Sequence, residues 1–198
     1  MSSPKTPVHS FLVDRRSIRA FDPRPIEDET LYLLFEAARW APSAFNEQPW
    51  RFVIARRENE TEFQQMLELL SPSNRSWAKN GSVLILTLAK MFTSHDNRVN
   101  RHALYDVGLA VGNLSVQATS MGLSLHQMGG FDSAKSREFF SIPEGYEPIS
   151  IILVGYPGNA ELLPEPLRLR ESNPRVRKSI DEFVFSSKFG SGHSLQQH

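Results

Sequence analysis

The chain has 198 residues, 22 basic and 22 acidic side chains, a formal net charge of zero and 40% hydrophobic residues. That apolar share can build a core, which excludes disorder as the main state. Zero net charge argues against a surface built to hold nucleic acid or anionic lipid, and the absence of cysteine excludes disulfides, cysteine nucleophiles, thiolate zinc sites and protein-ligated iron–sulfur clusters.

The N-terminal stretch MSSPKTPVHSFL has no long apolar run after its lysine, so no secretory signal is expected. The longest apolar stretches are strand-sized and fall short of the about 20 residues of a membrane helix. A soluble, cytoplasmic protein with no membrane association is the expectation. A first helix is predicted over 8–14, a break at Arg15-Arg16-Ser17, and a turn at Asp22-Pro23-Arg24-Pro25. Glu27-Asp28-Glu29 then supplies acids to a helix N-terminus. Leu31, Leu34, Phe35 and Ala38 follow at helical spacing, and the helix should end before Ala41-Pro42.

Residues 41–48 read as a polar loop, 50–56 as a strand, and 58–70 as a helix with Phe63, Met66, Leu67 and Leu70 inward. Residues 82–89 form a continuously apolar strand, which predicts cover on both faces. The longest helix is expected over 98–121. Its inward stripe is Leu104, Val107, Gly108, Val111, Leu114, Ser115 and Ala118. Gly108 and the neighbouring Gly112 suggest close helix packing, because a helical glycine costs roughly 1 kcal/mol relative to alanine. Gly122 reads as the helix stop. A strand over 123–128, a turn at Gly129-Gly130, a helix over 133–140 and a strand over 148–155 complete the series. Trp40, Phe63 and Phe139 fit core stripes, and residues 71–80 and 91–101 read as connections. No domain boundary is visible. Residues 1–198 read as one domain with an ordered arm from about 156, and the fold class is α+β in three layers, a central sheet with helices on both faces.

Most chemical motifs are missing. There is no G-x-G-x-x-G after a strand, no Walker A loop, no H-E-x-x-H and no G-x-S-x-G. His95 and His102 could share a helix face, but no third metal ligand accompanies them. What remains is charge distribution. Arg15, Arg16, Arg19 and Arg24, with Arg168, Arg170, Arg175, Arg177 and Lys178, put nine of the 22 basic residues in two short segments. Arginine's planar fork of donors suits phosphate, and the two segments with Ser17 could converge on one; they could equally be two solvated faces. Ser43, Asn46 and Gln48 could read the edge of a planar ring or merely cap a loop. Gly129 and Gly130 after a strand would let a flat ligand approach the backbone.

Together these places resemble the FMN-dependent nitroreductase family. Its R-[RH]-S-x-R-x-F stands here as Arg15-Arg16-Ser17-Ile18-Arg19-Ala20-Phe21. Its A-P-S-x-x-N-x-Q-P-W-x-F stands as Ala41 through Phe52. A D-x-G-x-A-x-x-N-L helix begins at Asp106, G-G-F-D occupies 129–132, V-G-Y-P occupies 154–157, and R-x-R-K occupies 175–178.

The resemblance implies a mostly antiparallel sheet and an intertwined homodimer. In it the long helix builds the interface, the arm wraps the partner, and FMN lies between subunits. Arg15, Arg16, Ser17, Arg175 and Arg177 would hold the FMN phosphate, with Arg19 adding a ribityl or phosphate contact. Pro42, Ser43, Asn46 and Gln48 would reach the flavin from the partner subunit. Met128, Gly129 and Gly130 would lie against the ring, the Gly129 N–H near flavin N5. NAD(P)H would be the co-substrate. The acceptor would be a small molecule such as a nitroaromatic, a quinone, an enone or free flavin, reduced in ping-pong fashion. No catalytic side chain and no metal would be needed, since the flavin carries the redox chemistry. Phe183, Phe185 and Phe189 would anchor the arm on the partner. The alternatives are a flavin protein of the same fold with a specialised reductive role, such as dehalogenation, and an anion- or RNA-binding module built on the arginines.

Overall fold

The uninterrupted apolar run that begins at Val83 becomes the middle of the sheet. In a computed structural model that describes residues 8–195, the elements in chain order are α1 (Ser10–Asp14), β1 (Phe21–Asp22), α2 (Asp28–Arg39), β2 (Trp50–Arg56), α3 (Glu60–Leu69) and α4 (Pro72–Ala78). They continue with β3 (Val83–Lys90), α5 (Ala103–Ser120), β4 (Ser124–Met128), α6 (Ser133–Phe139), β5 (Tyr146–Pro157) and α7 (Glu165–Ser172). β3 pairs with β2 and β5, and β5 also pairs with β4 and, at its C-terminal end, with β1. Every pairing is antiparallel.

Alternation along the two central strands creates two cores. Val83, Ile85 and Ala89 of β3 and Ile152 and Val154 of β5 pack with α2 (Leu31, Leu34, Ala38) and α5 (Val107, Val111, Leu114). Leu84, Leu86 and Leu88, with Ile151 and Leu153, pack on the other face with α3 (Phe63, Met66, Leu67) and Trp77 of α4. Successive side chains of a strand point to opposite faces, so a strand covered on both sides must be apolar throughout. Each fully buried aliphatic side chain contributes roughly 1.5–3 kcal/mol. The result is the expected α+β sheet between helical layers. Among the described residues no helix is long and apolar enough to cross a membrane.

Local signals account for the helix ends. Asp28 and Glu29 sit in the first turn of α2 and Arg39 in its last, each matching the helix dipole. The Asp132 side chain caps α6 by accepting from the Lys135 N–H at 2.9 Å. Gly122, with φ of +72°, stops α5 in the left-handed conformation that glycine adopts without strain.

Four expectations need correction. α5 begins at Ala103 rather than 98, because Asn100 Oδ1 accepts from the His102 N–H at 3.0 Å and holds that stretch as a turn. The helix is phased so that Ala103, Asp106, Val107 and Ala110 face inward, which leaves Leu104 exposed. Gly108 and Gly112 lie on that exposed side too, and among the described residues nothing of this chain comes within 4 Å of where a Cβ would lie on either. Trp40 is 74% exposed, with its indole N–H on Glu36 and Arg39 over its ring, and Phe139 is also exposed, under Lys135. Residues 72–78, read as a connection, form α4.

The segment joining α1 to β1 is fastened to β4 by one hydrogen bond, from His126 Nδ1–H to the Ile18 carbonyl at 2.7 Å. The imidazole lies against the buried Trp77 ring, centroid to centroid 4.5 Å. Burial lowers the His126 pKa from its ordinary value, and Arg19 and Arg15 lower it further. The fold thus favours the neutral ring. Its contribution to stability is present above the unfolded-state pKa and is lost as pH falls through that value toward the lower folded one. Acidification from about pH 7.5 to about pH 5.5 should therefore lower the urea midpoint, and His126→Gln should flatten that dependence. An equal slope in the variant would contradict the assignment.

Candidate functional site

The two arginine segments meet. One runs from Arg15 to Arg19, ahead of β1; the other follows α7 at Arg175 and Arg177. The Arg175 guanidinium donates to the Arg15 carbonyl at 2.8 Å and to that of Val13. Arg16 donates to the carbonyls of Glu171 at 3.0 Å and Asn173 at 3.2 Å. In the reverse direction, one Glu171 carboxylate oxygen accepts from the backbone N–H groups of Arg19 at 2.8 Å and Ala20 at 3.2 Å. Arg15 donates to the Ser17 hydroxyl at 3.3 Å.

Charge is left over in this arrangement. Burial depresses the Arg15 pKa, and the positive charges of Arg177 and Arg175 depress it further. A guanidinium does not release its proton in a protein, so three cations stay crowded together. Among the described residues none of Arg15, Arg175 and Arg177 forms an ion pair. Arg175 and Arg177 are held by carbonyl oxygens and Arg15 by the Ser17 hydroxyl, neutral partners that fix geometry without cancelling charge. Three other basic residues of the two segments go elsewhere. Arg19 turns toward Glu171, 3.9 Å away, and over Trp77; Arg24 lies over Tyr156; Arg168 pairs with Glu161.

The third sequence candidate lies close by in the fold. The Ile18–His126 bond joins the first arginine segment to β4, and β4 ends at buried Met128, followed by exposed Gly129 and Gly130. A Cβ on Gly129 would meet nothing within 4 Å. Among the described residues neither the Gly129 nor the Gly130 N–H donates to another group of the protein. The Gly130 carbonyl accepts from the Ser71 N–H at 2.9 Å and from the Asn74 amide at 3.4 Å. Asn74, on α4, therefore borders this turn although sequence reasoning left it unassigned. The available signal was Ser71-Pro72, a hydroxyl residue followed by proline at the first helical position.

The loop of Pro42, Ser43, Asn46 and Gln48 is built differently. Phe45, Asn46 and Gln48 all have positive φ, at +54°, +56° and +46°, a conformation that costs roughly 1–2 kcal/mol for a residue with a Cβ. Polar anchors hold it. Asp106, buried in the first turn of α5, accepts from the Ala44 N–H at 3.1 Å. Ser43 Oγ accepts from the Gln48 N–H at 3.0 Å, and Asn46 Oδ1 accepts from the Gln48 amide at 3.1 Å. The Glu47 carboxylate takes the Ser94 N–H at 2.8 Å and lies 3.0 Å from His95 Nδ1; these bonds, the Ser94 one first, lower its pKa. His95 thus belongs to a loop anchor, and among the described residues no cluster of His, Cys, Asp or Glu could hold a metal.

This loop does not reach the arginines. Its flanking Ala41 and Trp50 belong to the core under α2 and α5, whereas Ala20, Phe21, Trp77 and Met128 belong to the core on the opposite face. Among the described residues no hydrogen bond or ion pair joins 42–48 to either arginine segment or to 128–130. One copy of the chain brings together Arg15, Arg16, Ser17, Arg175 and Arg177, and bonds their segment through Ile18 to the strand that leads into Met128, Gly129 and Gly130. It leaves Pro42, Ser43, Asn46 and Gln48 on the other side of the sheet.

Known proteins share this arrangement of elements. An oxidoreductase containing FMN superimposes with a TM-score of 0.90 at 35% identity, covering 96% of each chain. A candidate nitroreductase from Desulfovibrio desulfuricans, solved in complex with FMN, shares the fold with a TM-score of 0.72 at 21% identity, over 93% of this chain and 98% of that one. In sequence, a candidate NADH dehydrogenase/NAD(P)H nitroreductase of Archaeoglobus fulgidus is 29% identical over 155 residues, 74% of this chain and 83% of its own. An uncharacterised 15.4 kDa protein of the ask 5′ region in Mycolicibacterium smegmatis is 32% identical over 147 residues, 71% of this chain and 97% of its own. Residues 12–156 match the sequence profile of the nitroreductase family, and the chain belongs to that family.

Proposed function

We propose that the chain is an NAD(P)H-dependent FMN oxidoreductase, a cytoplasmic homodimer that reduces a small organic acceptor such as a nitroaromatic, a quinone, an enone or free flavin. The observation that carries this reading is the unpaired cluster of Arg15, Arg175 and Arg177, on a segment bonded through Ile18 to the strand that ends at the open turn of Gly129 and Gly130. A flavin mononucleotide has the two parts such a site needs: a dianionic phosphate and a flat ring edged with hydrogen-bond acceptors. The FMN content of the 35% identical oxidoreductase and the nicotinamide named for the A. fulgidus relative support the same reading.

FMN, when bound, would supply the two-electron redox chemistry between NAD(P)H and the acceptor. The protein's own groups bind and orient. Arg15, Arg175 and Arg177 hold the phosphate through charge-assisted hydrogen bonds, with the Ser17 hydroxyl beside Arg15. Arg16 keeps the second arginine segment in register through the carbonyls it binds. Arg19 acts through Glu171 rather than on the phosphate. Buried Met128 backs the ring, and the Gly129 N–H, free of any protein acceptor, is the donor offered to its reacting edge. The missing side chain at Gly129 keeps that approach open, and the Asn74 amide stands at the same turn.

The second copy completes the site in this reading. Pro42, Ser43, Asn46 and Gln48 lie on the wrong face of the sheet to serve the arginines of their own chain, so they serve those of the partner. The exposed face of α5, with Leu104, Tyr105, Gly108 and Gly112, supports an interface of helices in close approach. The exposed Phe183 and Phe189 of the arm are further apolar surface for the partner to cover.

The purified protein should be yellow, or become so on addition of FMN, and should bleach anaerobically with NADH or NADPH. A protein that stays colourless after reconstitution contradicts the reading. Arg15→Ala removes a charge-assisted bond of about 1.5–3 kcal/mol and should weaken FMN binding about ten- to a hundredfold. Unchanged affinity in a fluorescence titration would remove Arg15 from the phosphate site.

A further inference from the structure

We propose that Glu171, an acid, is a positioning residue of the anion site, buckling the arm that carries Arg175 and Arg177 onto the segment that carries Arg15. This rests on the reading that those arginines receive the FMN phosphate.

The buckle is reciprocal. The Glu171 carboxylate accepts two backbone N–H groups, at 2.8 and 3.2 Å, from Arg19 and Ala20. The Glu171 carbonyl accepts from Arg16 at 3.0 Å. Two positions along, Asn173 offers a second carbonyl to the same guanidinium. The Glu171 side chain is 12% exposed, and a carboxylate that far withdrawn from water needs hydrogen-bond donors to offset its lost hydration. Its location in the helix is also unfavourable. Glu171 lies in the last turn of α7, where the helix dipole disfavours a negative charge, so local preference does not explain an acid there.

Apolar burial fixes the start of this arm, at Leu163 with Ala160 beside it, and does little beyond that point. α7 buries no side chain; Leu167 alone of the helix packs partly against the core. Arg175 and Arg177 are exposed and are repelled by Arg15. The polar bonds around Glu171 must therefore offset both the chain entropy of the arm and the mutual repulsion of the cations. If the arm unbuckles, the phosphate site loses two of its three arginines. A ligand that needs the buckled state binds more weakly in proportion to how rarely that state is populated.

Charge alone makes the opposite prediction. Removing a carboxylate from beside a phosphate site lessens repulsion of the anion and frees Arg19, so through-space electrostatics predicts tighter FMN binding. The buckle predicts weaker binding, and only for a ligand with a phosphate. Dissociation constants for FMN and for riboflavin, measured by fluorescence on the full-length apoprotein, separate the two. Glu171→Ala should weaken FMN about tenfold and leave riboflavin unchanged. Glu171→Gln, which keeps an acceptor for the two N–H groups, should give a smaller loss of the same kind, and it carries the test if the alanine variant does not fold. Tighter FMN binding in either variant overturns the proposal, as does an equal loss for FMN and riboflavin, which would mark general damage. A wild-type protein that binds riboflavin as tightly as FMN contradicts the phosphate site itself and, with it, this role.

Discussion

Three like charges held close together by neutral partners are the constraint on which the rest of this structure turns. Arg15, Arg175 and Arg177 come from segments some 160 positions apart in the chain, and their partners are carbonyl and hydroxyl oxygens rather than acids. Carboxylates would have made a more stable cluster and a useless one. The guanidinium fork makes the alternative possible, because each has several donors and can give some to carbonyls while keeping its charge for a ligand. The acid that does take part, Glu171, binds backbone N–H groups and faces Arg19, and so organises the cluster from its edge.

The sheet explains where the remaining parts lie. β4 and β5 carry the arginine segment and the glycine turn on the side of Trp77 and Met128, and α2 with α5 carries the 41–48 loop on the other. That loop is a prepared surface: three residues sit in a left-handed conformation under several polar anchors, and Phe45 is 89% exposed at its tip. Backbone strain of this kind persists only where surrounding bonds over-determine it. A site whose halves lie on opposite faces of one sheet is assembled by bringing a second copy alongside, which is the dimer proposed above.

Much of this was legible in the sequence. The strand over 50–56 matches β2 to the residue, because an aromatic start and alternating residues leave little freedom. The apolar run of β3 announced cover on both faces. The meeting of the two arginine segments could be suspected from their shared composition, but only a family resemblance gave it content. What escaped had physical causes. Leu104 was assigned inward because an apolar stripe does not fix a helix's rotation when both faces are apolar, as in α5. Trp40 fits the core stripe by its apolar ring, but its indole N–H finds Glu36 at the surface, and helical spacing does not register that polar edge. α4 is short and polar, so only its Ser71-Pro72 start marked it. The positive φ values at Phe45, Asn46 and Gln48 leave no trace in composition. Glu171 left one unread clue, an acid at the wrong end of a helix.

The central claim is that the gathered guanidinium groups receive a phosphate. Phosphorus NMR of the FMN-loaded protein tests it most directly, because a phosphate monoester titrates with a second pKa of about 6. Among three unpaired arginines the bound phosphate should stay dianionic, so its resonance should hold still between about pH 5 and pH 8 while that of free FMN moves. A bound resonance that follows the free one would show a phosphate in solvent, and would contradict the account.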